Sequence, residues 1–189
     1  MLIYELTLLF LIMKFLDYLK MKLASDYKDE KVIVLGPVPP KLAKINNNII
    51  VVTSCGSPIQ MTRWIDKVNA VLNVYLGGQA GGEATYNLLY GNVNPSGKLA
   101  ETFPFRTNDN IVANYFPMGP RQVEYREGIY VGYRYYDKAE MDVQFPFGYG
   151  LSYTTFEYSD LKLSAKEINE NDGLTVSLKV KNTGDRAGA

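Results

Sequence analysis

The clearest pattern along the chain begins after the polar cluster Asn46-Asn47-Asn48, where Ile49–Thr53 runs apolar without alternation. An unbroken β-branched run bounded by polar and turn residues predicts a strand buried on both faces, the habit of parallel sheets. A Gly-Ser-Pro turn follows it at 56–58. Within residues 61–68, Ile65 and Val68 fall at helical spacing with Trp64 beside them, and residues 70–76, AVLNVYL, predict a second apolar strand. Glycines between positions 77 and 82 then lead into a predicted helix over 82–90. Ala84, Leu88 and Leu89 share one side of it, and Gly91 is placed to close it in a left-handed conformation. Strand, helix, strand, helix predicts βαβ units, and hence an α/β fold with a mostly parallel sheet.

Beyond Leu99 the pattern shifts to turns and aromatics. Residues 125–137, YREGIYVGYRYYD, set Arg126, Glu127, Arg134 and Asp137 among tyrosines, with Glu124 just before. Two readings compete. Such a surface suits sugars, whose C–H faces stack on rings while carboxylates and guanidinium groups hold hydroxyls. The favoured alternative is a twisted β-hairpin whose tyrosines pack against a neighbouring domain. Residues 145–163 read as a Gly/aromatic connector passing into a strand, and Leu174, Val176, Leu178 and Val180 alternate as in a sandwich strand with one wet face. A β-sandwich needs about seven strands, and this region supplies about two, the opening strands of an incomplete sandwich. The predicted organisation is an atypical apolar and charged segment over 1–45, a partial α/β sandwich domain over 46–150 and a truncated β-sandwich over 151–189.

The first segment is apolar through Met13 but interrupted by Glu5, and Lys14, Asp17, Lys20 and Lys22 follow at helical spacing. No basic residue precedes the apolar run and small cleavage-site residues are missing, which disfavours a signal peptide. A membrane span needs about 20 apolar residues, so an amphipathic helix is the expectation. Location is left open, with the cytoplasm favoured over other compartments.

Composition then narrows the chemistry. Lysine plus arginine and aspartate plus glutamate both number 20 in the 189 residues, leaving no net charge to draw nucleic acid or an anionic membrane. Neither is expected as a partner. With no histidine and one cysteine, Cys55, there is no internal disulfide, no Cys/His zinc site and no imidazole relay. No metal or cofactor is called for. Acid–base work falls to carboxylates, tyrosines or lysines.

The glycine pairs raise the question of a phosphate loop, which needs two glycines separated by four residues, then Lys and a hydroxyl residue. Gly77 and Gly82 have the spacing, but Glu83 occupies the lysine position and repels an anion. Between Gly91 and Gly97 the loop is one residue too long, Pro95 lacks an N–H, and Leu99 replaces the hydroxyl residue. The dinucleotide fingerprint fails on spacing too. These glycines are read as packing and turn positions.

Three stretches in series, GQAGGEATYNLLYGNVNPSGKLAETFP, EGIYVGYRYYD and FPFGYGLSYTTF, closely resemble in order and spacing the C-terminal half of glycoside hydrolase family three, the β-glucosidases and relatives. The resemblance spans residues 46–189. It implies an α/β sandwich domain followed by a fibronectin type III-like domain, preceded in relatives by a (β/α) barrel that supplies an Asp nucleophile. The acid/base Glu of the family lies in a Glu-x-Glu-Gly-x-Asp-Arg type motif shortly before the strand that matches Ile49–Thr53. Here that region reads SDYKDEKVIVLGPVPPK, with only Asp29 and Glu30 near the place and no matching context. A truncated or frameshifted reading frame is the expectation, open to test by three-frame translation of the upstream DNA.

Retaining glycosidases need two carboxyl groups about 5 to 5.5 Å apart, and no catalytic residue is assigned in this sequence. Glu83 suits a first-turn helix charge, while Glu101, Glu124 and Glu127 match no catalytic motif. In open α/β sheets ligand contacts gather at the C-terminal ends of strands. This places Ser57, Arg63 and Trp64 of the turn CGSPIQMTRW as candidate sugar-facing residues, with a packing role for Trp64 weighed equally. Cys55 is read as a small buried hydrophobe.

The preferred function is a fragment of a β-glucosidase-type hydrolase that acts on terminal β-glucosides by retention in full-length relatives and is inactive alone. Its partners are a glucoside or oligosaccharide and a separate barrel domain. The alternatives are a carbohydrate-binding or complementing module and, weakened by Glu83 and Pro95, a nucleotide-binding α/β protein.

Overall fold

The computed structural model describes residues 32–36, 42–116 and 121–188. The amphipathic helix expected near the N-terminus, and Asp29 and Glu30, lie outside the described residues. Two compact units are formed, one from the chain up to Gly82 together with Ala100–Gly148, the other from Glu83–Leu99 with Tyr149–Ala189. Each unit thus draws on separated stretches of sequence.

The first unit is built on three parallel strands in the order β1-β2-β3, with β1 at Val32–Leu35, β2 at Ile49–Thr53 and β3 at Ala70–Asn73. Register pairs Val34 with Val51 and Val51 with Val71. The central strand matches the sequence expectation and is its core: Ile49 and Val51 are fully buried and Val52 nearly so. Strand β1 is a finding that the sequence reading did not anticipate, and it carries the α/β region back to residue 32. Leu42 and Asn46 are buried on the way to β2, and Asn46 Oδ1 accepts the Asn48 N–H at 2.7 Å.

The β2–β3 crossover departs from the expected helix, forming only a turn and a 3-10 helix at Ile65–Lys67. Gly56 and Pro58 break regular structure in its first part. Met61 and Trp64 nevertheless fill the core beneath it. Strand β3 stops at Asn73 rather than continuing to 76, because Tyr75 adopts a left-handed backbone with φ 49°, which no strand accommodates.

Farther along in this unit, Phe103 and Phe145 form an antiparallel bridge, with Phe103 N–H to Phe145 O at 2.8 Å and Phe103 1% exposed. The hairpin expected over 125–137 is not formed. The segment makes a turn at Glu127–Tyr130 and a short helix α2 at Tyr133–Lys138; α1 is given below. Gly128 (φ 56°) and Gly132 (φ 60°) interrupt extended backbone, and burial of one ring, Tyr136, selects the helical turn over the strand that tyrosine density favours.

In the second unit, helix α1 spans Gly81–Leu89, its first two residues coming from the first unit. Its end follows the expectation closely. Gly91 sits at φ 73°, its N–H reaches Leu88 O at 3.1 Å, and the Asn92 N–H reaches Asn87 O at 2.9 Å, the paired bonds of a Schellman cap. Two antiparallel strands follow, β4 at Phe156–Leu163 and β5 at Val176–Asn182, with Tyr158 opposite Val180 and a register shift between Ser159 and Lys162. No helix of the described residues is long and apolar enough to cross a membrane.

Candidate functional site

The C-terminal edge of the parallel sheet gathers the polar groups that the fold leaves at strand ends. Here β2 delivers Thr53, Ser54 and Cys55, and β3 delivers Asn73, Val74 and Tyr75. Thr53, buried at 1% exposure, donates its hydroxyl to Asn73 Oδ1 at 2.9 Å. The Cys55 thiol points to the same oxygen at 3.6 Å. Ser54 Oγ donates to the Tyr75 carbonyl at 2.7 Å, and the Tyr75 hydroxyl accepts the Ala100 N–H at 3.2 Å. Side chains therefore cross-link the exits of two strands at the end of the backbone ladder, whose last rung is Val74 N–H to Thr53 O at 2.9 Å.

The glycine turn beyond β3 is shaped by contact, not by a phosphate. A Cβ at Gly77 would meet the Gly81 Cα at 3.0 Å, Gly78 holds φ 62°, and the Gly81 N–H closes on Gly78 O at 3.3 Å. Glu83 stands exposed in the first turn of α1, where a negative charge complements the helix N-terminus.

Of the three residues singled out in the sequence, Ser57 and Arg63 are exposed on the loop leaving β2. Trp64 is 5% exposed and belongs to the core, so its packing role is the one realised here. The Arg63 carbonyl accepts the Lys67 ammonium at 3.0 Å, which ties down the loop while leaving the guanidinium outward. Sequence reasoning missed Asn73 and Tyr75. A lone Asn inside an apolar strand was the available signal for the first, and nothing in the residue type announced the second.

The acidic residues occupy separate surroundings. Glu124 is ion-paired with Arg126 Nη2 at 2.5 Å, and Arg126 lies over the Tyr115 ring at 5.0 Å. Partial burial raises the Glu101 carboxyl above its ordinary range. No group of three or more Asp, Glu or Cys among the described residues could hold a metal ion. The tyrosine-rich segment stays largely in solvent: Tyr125 is 85% exposed, and Tyr133 stacks on Phe147 at 4.9 Å.

Compared with known proteins, residues 38–153 match the Glycosyl hydrolase family 3 C-terminal domain. The chain belongs to glycosyl hydrolase family 3. Thermostable beta-glucosidase B of Acetivibrio thermocellus is 53% identical over 147 residues, covering 78% of this chain and 19% of that protein. A putative beta-glucosidase of Schizosaccharomyces pombe is 40% identical over 169 residues, 87% of this chain and 20% of the relative. Among solved structures, DesR, a beta-glucosidase from Streptomyces venezuelae in complex with D-glucose, superposes with a TM-score of 0.72 at 42% identity, covering 83% of this chain and 22% of that one. Beta-glucosidase 3B from Thermotoga neapolitana in complex with glucose gives 0.76 at 34% identity over 91% of this chain and 28% of that one. This family 3 chain thus spans about a fifth of the length of the curated relatives it matches. The mixed α/β architecture with a parallel sheet and a small antiparallel sheet agrees with these neighbours.

Proposed function

We propose that this chain is the C-terminal part of a β-glucosidase-type hydrolase that removes terminal β-glucosides with retention, and that its share of the work is to wall one side of the sugar site. The observation that carries the reading is the 53% identity to a thermostable β-glucosidase over 147 residues. The C-terminal edge of the sheet offers the wall, with Ser57 and Arg63 in solvent on the β2 exit loop and Trp64 anchoring that loop from the core. An arginine and a hydroxyl residue are suited to hold sugar hydroxyls by charge-assisted and neutral hydrogen bonds.

Cleavage itself requires a nucleophilic carboxylate and a second carboxyl that switches from acid to base, held about 5 to 5.5 Å apart. Glu124 is neutralised by its arginine and Glu83 serves a helix terminus, so neither is free for those roles. On this reading the 189 residues by themselves are inactive, and the reacting carboxyls come from the family's barrel and its acid/base segment. Mixing the purified chain with a separately produced family 3 barrel carrying that segment should release aryl alcohol from an aryl β-glucoside faster than either part alone. Arg63→Ala should raise KM in that mixture. An absence of any gain on mixing would contradict the reading.

A further inference from the structure

We infer that Asn73 is a positioning residue, which sets the β2 exit loop by bridging the ends of β2 and β3; the inference rests on the glucoside-site reading above and deepens it. Asn73 Oδ1 accepts from both Thr53 Oγ1 (2.9 Å) and Cys55 Sγ (3.6 Å). One side chain therefore holds the last residue of β2 and the second residue beyond it, immediately before the Gly-Ser-Pro turn that carries Ser57.

Two features show that this corner is not arranged for stability alone. Asn73 Nδ2 is shielded from solvent with no hydrogen-bond partner among the described residues, and an unmet buried donor is costly to a fold. Two residues later, Tyr75 holds φ 49°, a conformation unfavourable for an aromatic residue. That strained turn presents the carbonyl that accepts the Ser54 hydroxyl. An orphaned donor and a strained backbone within three residues, both at the C-terminal edge of a parallel sheet, mark the place where the fold gives up stability to fix geometry. The geometry fixed is the path of residues 54–57.

Cys55 is the only cysteine in the chain, so alkylation of the native protein reports on this loop and nothing else. Asn73→Ala should speed Cys55 alkylation about fivefold or more, and Thr53→Val should act in the same direction. The double variant should add little to Asn73→Ala, because both changes break one network. Gly150→Ala serves as the control: it displaces backbone in the second unit, lowers Tm and leaves the alkylation rate near that of the parent. In the mixture with the family barrel, Asn73→Ala should raise KM for the aryl β-glucoside several-fold with kcat within about twofold, the pattern of lost binding geometry. A parental alkylation rate in Asn73→Ala would overturn the inference whatever the mixture does. So would faster alkylation accompanied by an equal fall in kcat and unchanged KM. A mixture with no activity at all overturns the glucoside reading instead, and with it the claim that the positioned loop serves a sugar.

Discussion

The two sheets of this chain both carry valine and leucine and give them opposite fates. In β2, Ile49, Val51 and Val52 are almost fully enclosed, whereas every residue of β5 from Val176 to Asn182, valines and leucine included, is exposed. The difference lies in patterning. An unbroken apolar run expects cover on both faces, and β2, flanked along its edges by β1 and β3, has its side chains enclosed in a core that also holds Leu42, Met61 and Trp64. The alternating run of β5 pairs with β4, putting Tyr158 and Leu163 opposite Val180 and Val176 on one apolar face that nothing in its own unit covers. Secondary structure can be satisfied by one neighbour, but a core cannot.

Unfolding measurements break or sharpen that contrast. Phe103→Ala, at 1% exposure in the first unit, should cost about 3–5 kcal/mol by removing a buried ring. Leu178→Ala, at 48% exposure in β5, should cost no more than about 0.5 kcal/mol, as for surface positions. Chemical denaturation of both variants checks the pair. An equal cost at Leu178 would mean that the β4–β5 face is covered in solution.

A smaller effect is expected at the connector of the second unit. Gly150 approaches so closely that a Cβ there would lie 2.8 Å from the Gly97 carbonyl oxygen. Gly150→Ala should therefore cost about 1–3 kcal/mol through displaced backbone, measured as a fall in Tm.

The smallest effect concerns pH. Burial raises Glu101, so between its ordinary and raised values the folded chain holds more protons than the unfolded one, and stability declines as pH rises through that interval. Below the interval the effect vanishes, and above it the loss is complete. Glu101→Gln should flatten this decline in a series of melts across the carboxylate range, without altering the contrast between the two sheets.

Much of this architecture was legible in the residues because it rests on local rules. Ile49–Thr53 announced a two-sided strand, and Gly91 announced the end of α1 because only a residue at ease with positive φ can close the paired cap bonds seen there. The four residues of β1 were hidden between a charged stretch and a cluster of prolines, where a short strand has no pattern long enough to show; its identity comes from pairing with β2. Helix α2 departs from the hairpin expected of a tyrosine-dense segment, because Gly128 and Gly132 break the extended backbone and Tyr136 is buried. The candidate site divides in the same way. Ser57 and Arg63 are proposed from the rule that ligands meet parallel sheets at their C-terminal ends, and both are exposed. The bridge from Asn73 to Thr53 and Cys55 depends on register between β2 and β3, which pairs Thr53 with Asn73 across the sheet. Residue spacing along one strand carries no record of it.

The most direct test of the central claim is an assay of the purified 189-residue chain alone on an aryl β-glucoside. The account predicts no release of aryl alcohol above the buffer rate, since one wall of a sugar site holds no pair of facing carboxyl groups. Turnover at an enzymatic rate by the chain alone would contradict it and return the search for the reacting acids to Glu101, Glu124 and Glu127.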